Sequence, residues 1–298
     1  MSAKSHRFPS CCLTALLVTA VLLCCGVRAA DPVNDDTPVY MPECKRLEQL
    51  PFQPGEKITY QLRWSMFVVG WATLEFDGPV PLNGEQVWKI TLTAQTNSFA
   101  DAIFKVRDSN TVWVDKVFSR PVYYVKQQNE GSTHHDVIVT FDWKKNSAQY
   151  SDKGVAHKPI TVIPGAWDPL AITYAVRALD LDGVKHLSIP STDGKKNVVT
   201  EVNIDPSVTI RTPMGKFNTI VLEPDTKDLG GVFKKSAGAD IMIWFTNDAR
   251  HLPVRMSSKV AVGRFVAEMT KIEGPGAENY GKPDGKAQPR TRNASDDQ

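Results

Sequence analysis

From Lys57 to Trp64 the chain alternates apolar and polar residues. Ile58, Tyr60, Leu62 and Trp64 fall on one side, and Lys57, Thr59, Gln61 and Arg63 on the other. The same beat returns in Trp88, Ile90, Leu92 and Ala94, in Val137, Val139, Phe141 and Trp143, and in Val198, Thr200, Val202 and Ile204. A side-chain period of two with one apolar face predicts strands of an antiparallel sheet, buried on one side and wet on the other. Asn83-Gly84, Asp152-Lys153-Gly154, Asp193-Gly194 and Asn247-Asp248 separate such runs, as hairpin turns require. This spacing predicts a mainly β fold, a large curved antiparallel sheet or half-open barrel of roughly a dozen strands.

One segment breaks the beat. Asp168-Pro169 supplies a capping side chain followed by a first-turn proline, and Asp182-Gly183 supplies a stop. From Leu170 to Leu179 only Thr173 and Arg177 are strongly polar. A helix apolar nearly all round is enclosed, so residues 168–181 are predicted to form one buried helix in the concavity of the sheet. Ser98 to Phe104 predicts one further helical turn, with Asp101 reaching back to its cap. The connections flanking the long helix are short. A single β-rich domain over residues 52–273 is therefore expected.

The flanks differ in kind. Residues 1–29 carry Lys4 and Arg7, then an apolar run from Cys11 to Val27, then small residues around Ala29, which predicts a cleaved secretory signal peptide. An uncleaved anchor is the alternative, at the short limit for a spanning helix. A lipoprotein acylated at Cys25 is another, although Cys24 stands where Gly, Ala or Ser is usual. Residues 30–51 hold four prolines, with a fifth at Pro54, and read as a spacer, and residues 274–298, rich in Gly and Pro with a single aromatic, read as a disordered tail. The expected location is periplasmic or secreted.

Composition narrows the partners. The chain has 298 residues, 42% hydrophobic and 23% charged, enough apolar material for a core. It carries 35 bases and 33 acids, and loss of Lys4, Arg7 and Arg28 with the signal (35 less 3) leaves 32 bases. Such balance excludes a broad cationic field, so nucleic acid is not the expected partner. Four of the five cysteines lie in the signal, leaving Cys44 with no intramolecular mate.

Candidate chemistry is sparse. The chain has no nucleophile elbow, no phosphate-cradling glycine loop and no paired-Cys zinc spacing, so no cofactor, metal or catalytic residue is expected. His134-His135-Asp136 is the one titratable cluster, and strand neighbours point to opposite faces. Met66-Phe67-Val68-Val69-Gly70-Trp71 is apolar where a polar turn would be expected. It predicts a linker that folds under the sheet or continues both strands, or else an apolar rim at the mouth of a cavity offering contact to a lipid-like ligand or a partner. Phe67, Val69, Trp71, Leu170, Tyr174 and Trp244 are the candidate groove or rim residues.

Several spaced patterns carry a resemblance. They are Phe52-x-x-Gly55-Glu56-Lys57-x-Thr59-Tyr60 with Trp64, Gly70 and Ala72-Thr73-Leu74-Glu75, then Asp168-Pro169-Leu170 with Tyr174 and Arg177. Thr212-Pro213-x-Gly215-x-Phe217 and the run from Trp244 to Val254 complete them, with Asn247-Asp248 where an acidic pair is usual. Together they resemble an uncharacterised family of exported bacterial envelope proteins, a domain of unknown function. The resemblance implies export and a β-rich fold, and no reaction. The residues themselves read as turns and strand starts, with Leu252-Pro253-Val254 opening an edge strand.

The function expected from these features is a non-enzymatic binding or assembly role in the cell envelope. A lipophilic ligand would lie in the concavity of the sheet, or an envelope protein would dock there, with membrane contact only through the signal or lipidation. The alternatives are a periplasmic hydrolase using His134 or His135, and a structural module held by protein partners.

Overall fold

The computed structural model describes residues 50–226, 238–260 and 263–280. The chain runs through β1 (Glu56–Trp64), β2 (Phe67–Leu82), β3 (Glu85–Thr96), a short helix α1 (Ser98–Asp101), β4 (Arg107–Asp115), β5 (Pro121–Glu130), β6 (Thr133–Asp142) and β7 (Ser147–Asp152). Two-residue strands β8 (Val155–Ala156) and β9 (Ile160–Thr161) lead to the helix α2 (Ala171–Arg177). Six strands then follow: β10 (His186–Thr192), β11 (Asn197–Thr212), β12 (Gly215–Pro224), β13 (Asp240–Thr246), β14 (Pro253–Val260) and β15 (Gly263–Glu273).

All fifteen strands belong to one antiparallel sheet. The last strand pairs with the first, so the order is β10 through β15, then β1 through β8, with β9 also on β7. This pairing makes one sheet of the segments before and after α2. The sheet is curved without closing: among the described residues β10 and β7–β9 share no ladder. Residues 162–181 occupy the interval, held to β10 by a parallel bridge between Trp167 and Ser191. The turn after β10 leans back across the opening. Lys195 lies 4.1 Å over the Tyr150 ring, and the Asn197 amide donates to the Thr161 carbonyl at 2.8 Å. Gly194, at φ +82°, makes that contact possible, because a Cβ there would stand 2.7 Å from a Val139 methyl. Gly194→Ala is expected to destabilise by about 1–3 kcal/mol, read as a lower urea midpoint. An unchanged midpoint would show that the turn does not brace the opening.

Burial follows the alternation read from the sequence. Ile58, Tyr60 and Leu62 of β1 face the core with Ala72, Leu74 and Phe76 of β2 and Ile90, Leu92 and Ala94 of β3. The helix is enclosed as expected, with Ala171, Thr173, Tyr174, Ala175, Val176 and Arg177 all buried. Its hydrogen-bonded span is shorter than 168–181. Pro169 holds the chain outside the helix, and Asp168 caps from there, its Oδ1 accepting from the N–H groups of Leu170 and Ala171 at 2.8 and 3.1 Å.

Three local expectations are corrected. The cap of α1 is Asn97, which accepts from the Ala100 N–H, and Asp101, expected to reach back to it, instead binds Thr96 and forms an ion pair with Arg107. Pro253 opens an interior strand, since β14 lies between β13 and β15. A strand's first residue can lack its N–H without breaking the ladder, so the proline is harmless there too. Residues 274–280 are not loose: Ala277–Tyr280 forms a 3-10 turn against the sheet, where Tyr280 stacks on Phe217. The single aromatic of that region supplies the anchor. The signal, nearly all of the spacer, Cys44 and the tail beyond Tyr280 lie outside the described residues.

Candidate functional site

Three features could carry function, and each begins with where the alternation puts a side chain. The first is a buried ionic cluster. Glu56 shares parity with Ile58 and Tyr60 and therefore points into the core, where it is 0% exposed. Arg177 projects from the enclosed helix and is also 0% exposed, and its two terminal nitrogens meet the Glu56 carboxylate at 2.6 and 2.9 Å. Arg250, from the β13–β14 connection, adds a third charged hydrogen bond at 2.6 Å. Burial works against ionising Glu56, but the two guanidiniums outweigh it and hold its carboxyl below the usual range.

This cluster clasps separate parts of the chain. Arg177 Nε donates to the Arg250 carbonyl, and Arg250 donates to the Gly276 carbonyl at 2.7 Å. The Tyr280 hydroxyl donates to Asp248, which also accepts from Thr246 and from the Arg250 N–H. Around it, Phe52 packs edge-on against Tyr174 at 4.8 Å, and Phe76 stacks on Tyr174 at 5.3 Å. The arrangement is a clasp that joins β1, α2, the β13–β14 turn and the 3-10 turn, with Glu56 and Arg177 sealed from solvent and Arg250, Asp248 and Tyr280 partly exposed at its outer side.

The second feature is an apolar groove of about 60 Å³. Ile172, Thr173 and Val176 of α2 face Ile189 of β10, Val202 of β11, Leu222 of β12, and Ile243 and Phe245 of β13 across it. Among the described residues no charged side chain lines it. The helix fills much of the concavity, leaving this slot on the β10–β13 side.

The third feature is an exposed apolar patch at the β1–β2 turn. Met66, Phe67, Trp71, Phe99 and Ile103 all stand out of the surface, and the Phe67 and Phe99 rings lie 6.2 Å apart. Asn97 ties the two segments together by donating to the carbonyls of Val68 and Val69.

The six residues singled out from sequence are thus distributed over several places. Phe67 and Trp71 belong to the exposed patch, whereas Val69, Leu170 and Tyr174 are buried in the core. Trp244 lies on the opposite face of β13 from Ile243 and Phe245, beneath Arg255. None of the six lines the groove. Parity explains Trp244, because Ile241, Ile243 and Phe245 take the inward positions of that strand.

The histidine cluster is on the surface. His134 Nδ1 lies 3.1 Å from Asn129 Oδ1 and His135 Nδ1 lies 2.6 Å from Asp152 Oδ2. Partial burial opposes ionisation of Asp152, but hydrogen bonds from His135 and the Asp136 N–H prevail and lower its pKa. Among the described residues no three His, Cys, Asp or Glu side chains are grouped to hold a metal.

The fold has solved relatives of low identity. A β-barrel-like protein of the DUF1849 domain of unknown function from Brucella abortus is similar, with a TM-score of 0.50 at 10% identity. That similarity covers 73% of this chain and 96% of the other. A hypothetical protein from Chlamydia trachomatis is more distant, with a TM-score of 0.35 at 9% identity over 79% of this chain and 95% of its own. No curated protein matches the sequence. The profile of DUF3108, described as a protein of unknown function, matches residues 59–270, which includes β1 to β15 almost entire, and the chain therefore belongs to the DUF3108 family.

Proposed function

We propose that the chain is an exported cell-envelope protein with a non-enzymatic binding role, and that the groove between α2 and β10–β13 takes the narrow end of a lipophilic ligand such as an acyl chain. The groove carries this reading: it is lined from both sides by aliphatic and aromatic carbon, with only the hydroxyls of Thr173 and Thr200 as polar groups. Such a lining offers no orienting charge for a reacting group, and favours a saturated chain. Its volume of about 60 Å³ suits a chain end. A whole lipid would need a site of at least roughly 300 Å³. The N-terminal apolar run with its basic start and small residues at Ala29 supports export. Binding is favoured over hydrolysis because, among the described residues, His134 and His135 are hydrogen-bonded to Asn129 and Asp152 and not to a Ser, Thr or Cys side chain.

Native mass spectrometry of protein purified from membranes is expected to show an acyl-sized adduct. Added fatty acid should raise Tm by about 3–5 °C. Val176→Trp, which fills the groove, should abolish both effects. Ile172→Trp, at a partly exposed position on the same helix, repeats the test should the first variant fold poorly. An absent adduct with no thermal shift, or an equal shift in the filled variants, removes the proposal.

A further inference from the structure

The apolar patch at the β1–β2 turn is independent of the groove. Met66, Phe67, Trp71, Phe99 and Ile103 are each between 44% and 73% exposed, and they account for most of the strongly exposed large apolar side chains among the described residues. Scattered exposed hydrophobics are ordinary in soluble proteins, but a cluster drawn from two segments and locked together by Asn97 is not. Gly70 lies buried close against the backbone of Gln95 on β3, while Phe67 and Trp71 of the same strand face outward.

Charge around the patch selects an occupant. Asp101 is matched by Arg107, Asp240 by Arg264 and Glu268 by Arg63 and Arg255. Lys105, two residues past Ile103, and Lys259, opposite Arg264 beside the Ser65 turn, are exposed and have no ion-pair partner among the described residues. Aromatic and aliphatic side chains flanked by lysines on flexible stems match the boundary between acyl chains and anionic headgroups. A second copy of this patch would instead bring like charges together. We propose that this patch docks the domain onto an anionic lipid surface, with Phe67, Phe99 and Trp71 entering the headgroup–acyl boundary and Lys105 and Lys259 meeting phosphates.

The test uses the full chain and vesicles of brominated phosphatidylglycerol. The chain has seven tryptophans and none precedes Trp64, so the N-terminal apolar run contributes no tryptophan of its own, and the loss in Trp71→Phe separates docking through the patch from insertion of that run. The expected result is quenching of tryptophan emission, mostly lost in Trp71→Phe and weakened by 1 M NaCl. Phe67→Ser with Phe99→Ser should reduce vesicle-dependent quenching on the order of tenfold while far-UV CD and Tm stay unchanged, since both rings are exposed. Absence of quenching, quenching undiminished in Trp71→Phe, or equal quenching by brominated phosphatidylcholine would overturn the proposal. So would a dimer in solution that the Phe67→Ser, Phe99→Ser variant dissociates.

Discussion

Glutamine in place of Glu56 is expected to destabilise the protein by about 3–5 kcal/mol, a fall in Tm of roughly 10 °C. Removing one member of a buried pair leaves the other charge desolvated, and here the orphan is Arg177, which has no exposure to water. Arg250 would also lose its shortest charged contact, although partial exposure lets water compensate, so Arg250→Gln should cost less than Glu56→Gln. The acid limb of the stability curve should change too. The Glu56 pKa is lower in the folded chain than its ordinary 4.5. Its stabilisation is therefore present above that value and lost as pH falls through the folded pKa. Glu56→Gln should flatten that limb. Thermal melts followed by circular dichroism between pH 3 and 8 decide the matter, and a loss under about 3 °C at pH 7 would mean the clasp is not a principal fastening.

Much of this architecture was legible from local pattern. A period of two gave the strands because each inward residue must be buried and each outward one wetted, and the enclosed helix followed from its lack of a polar face. What the pattern could not supply was pairing at long range. The β15–β1 ladder joins residues about two hundred positions apart, and no local signal announces it. The clasp was half visible. Glu56 stands on the apolar parity of β1 and Arg177 on an apolar helix, two charges each placed where only a partnered charge survives. Each was read within its own motif, and their convergence across 121 residues required the fold.

The groove escaped sequence reading for a different reason. Its walls are the ordinary inward residues of four strands, Ile189, Val202, Leu222 and Ile243, chemically identical to core. Only the size of the helix relative to the concavity decides which part of the inner face stays uncovered. Exposure at the β1–β2 turn was better signposted, because six apolar residues stood where a turn normally carries polar ones.

Asp168 should make the protein less stable as pH rises from about 4 to 7. Its carboxyl is fully buried, and burial pushes its pKa from 3.8 up to about 7, against the opposing pull of the N–H groups of Leu170, Ala171 and Asp168 itself. Oδ1 caps the helix, while Oδ2 has no hydrogen-bond partner among the described residues, so nothing neutralises a charge there. A carboxyl whose folded pKa exceeds its unfolded one holds a proton more tightly in the native state. The resulting stability is complete below the unfolded value, fades through the interval and is gone above the folded value. A gap of roughly three pH units is worth about 4 kcal/mol. Asparagine keeps the capping oxygen and never ionises. Asp168→Asn is therefore expected to match the parent near pH 4 and exceed it at pH 8 by several kcal/mol, with Tm curves that diverge as pH rises. Asp168→Ala, which loses the cap, should lie about 1 kcal/mol lower than Asp168→Asn throughout. Parallel curves for the parent and Asp168→Asn, measured by urea denaturation from pH 4 to 8, would show that the buried carboxyl does not titrate in this range.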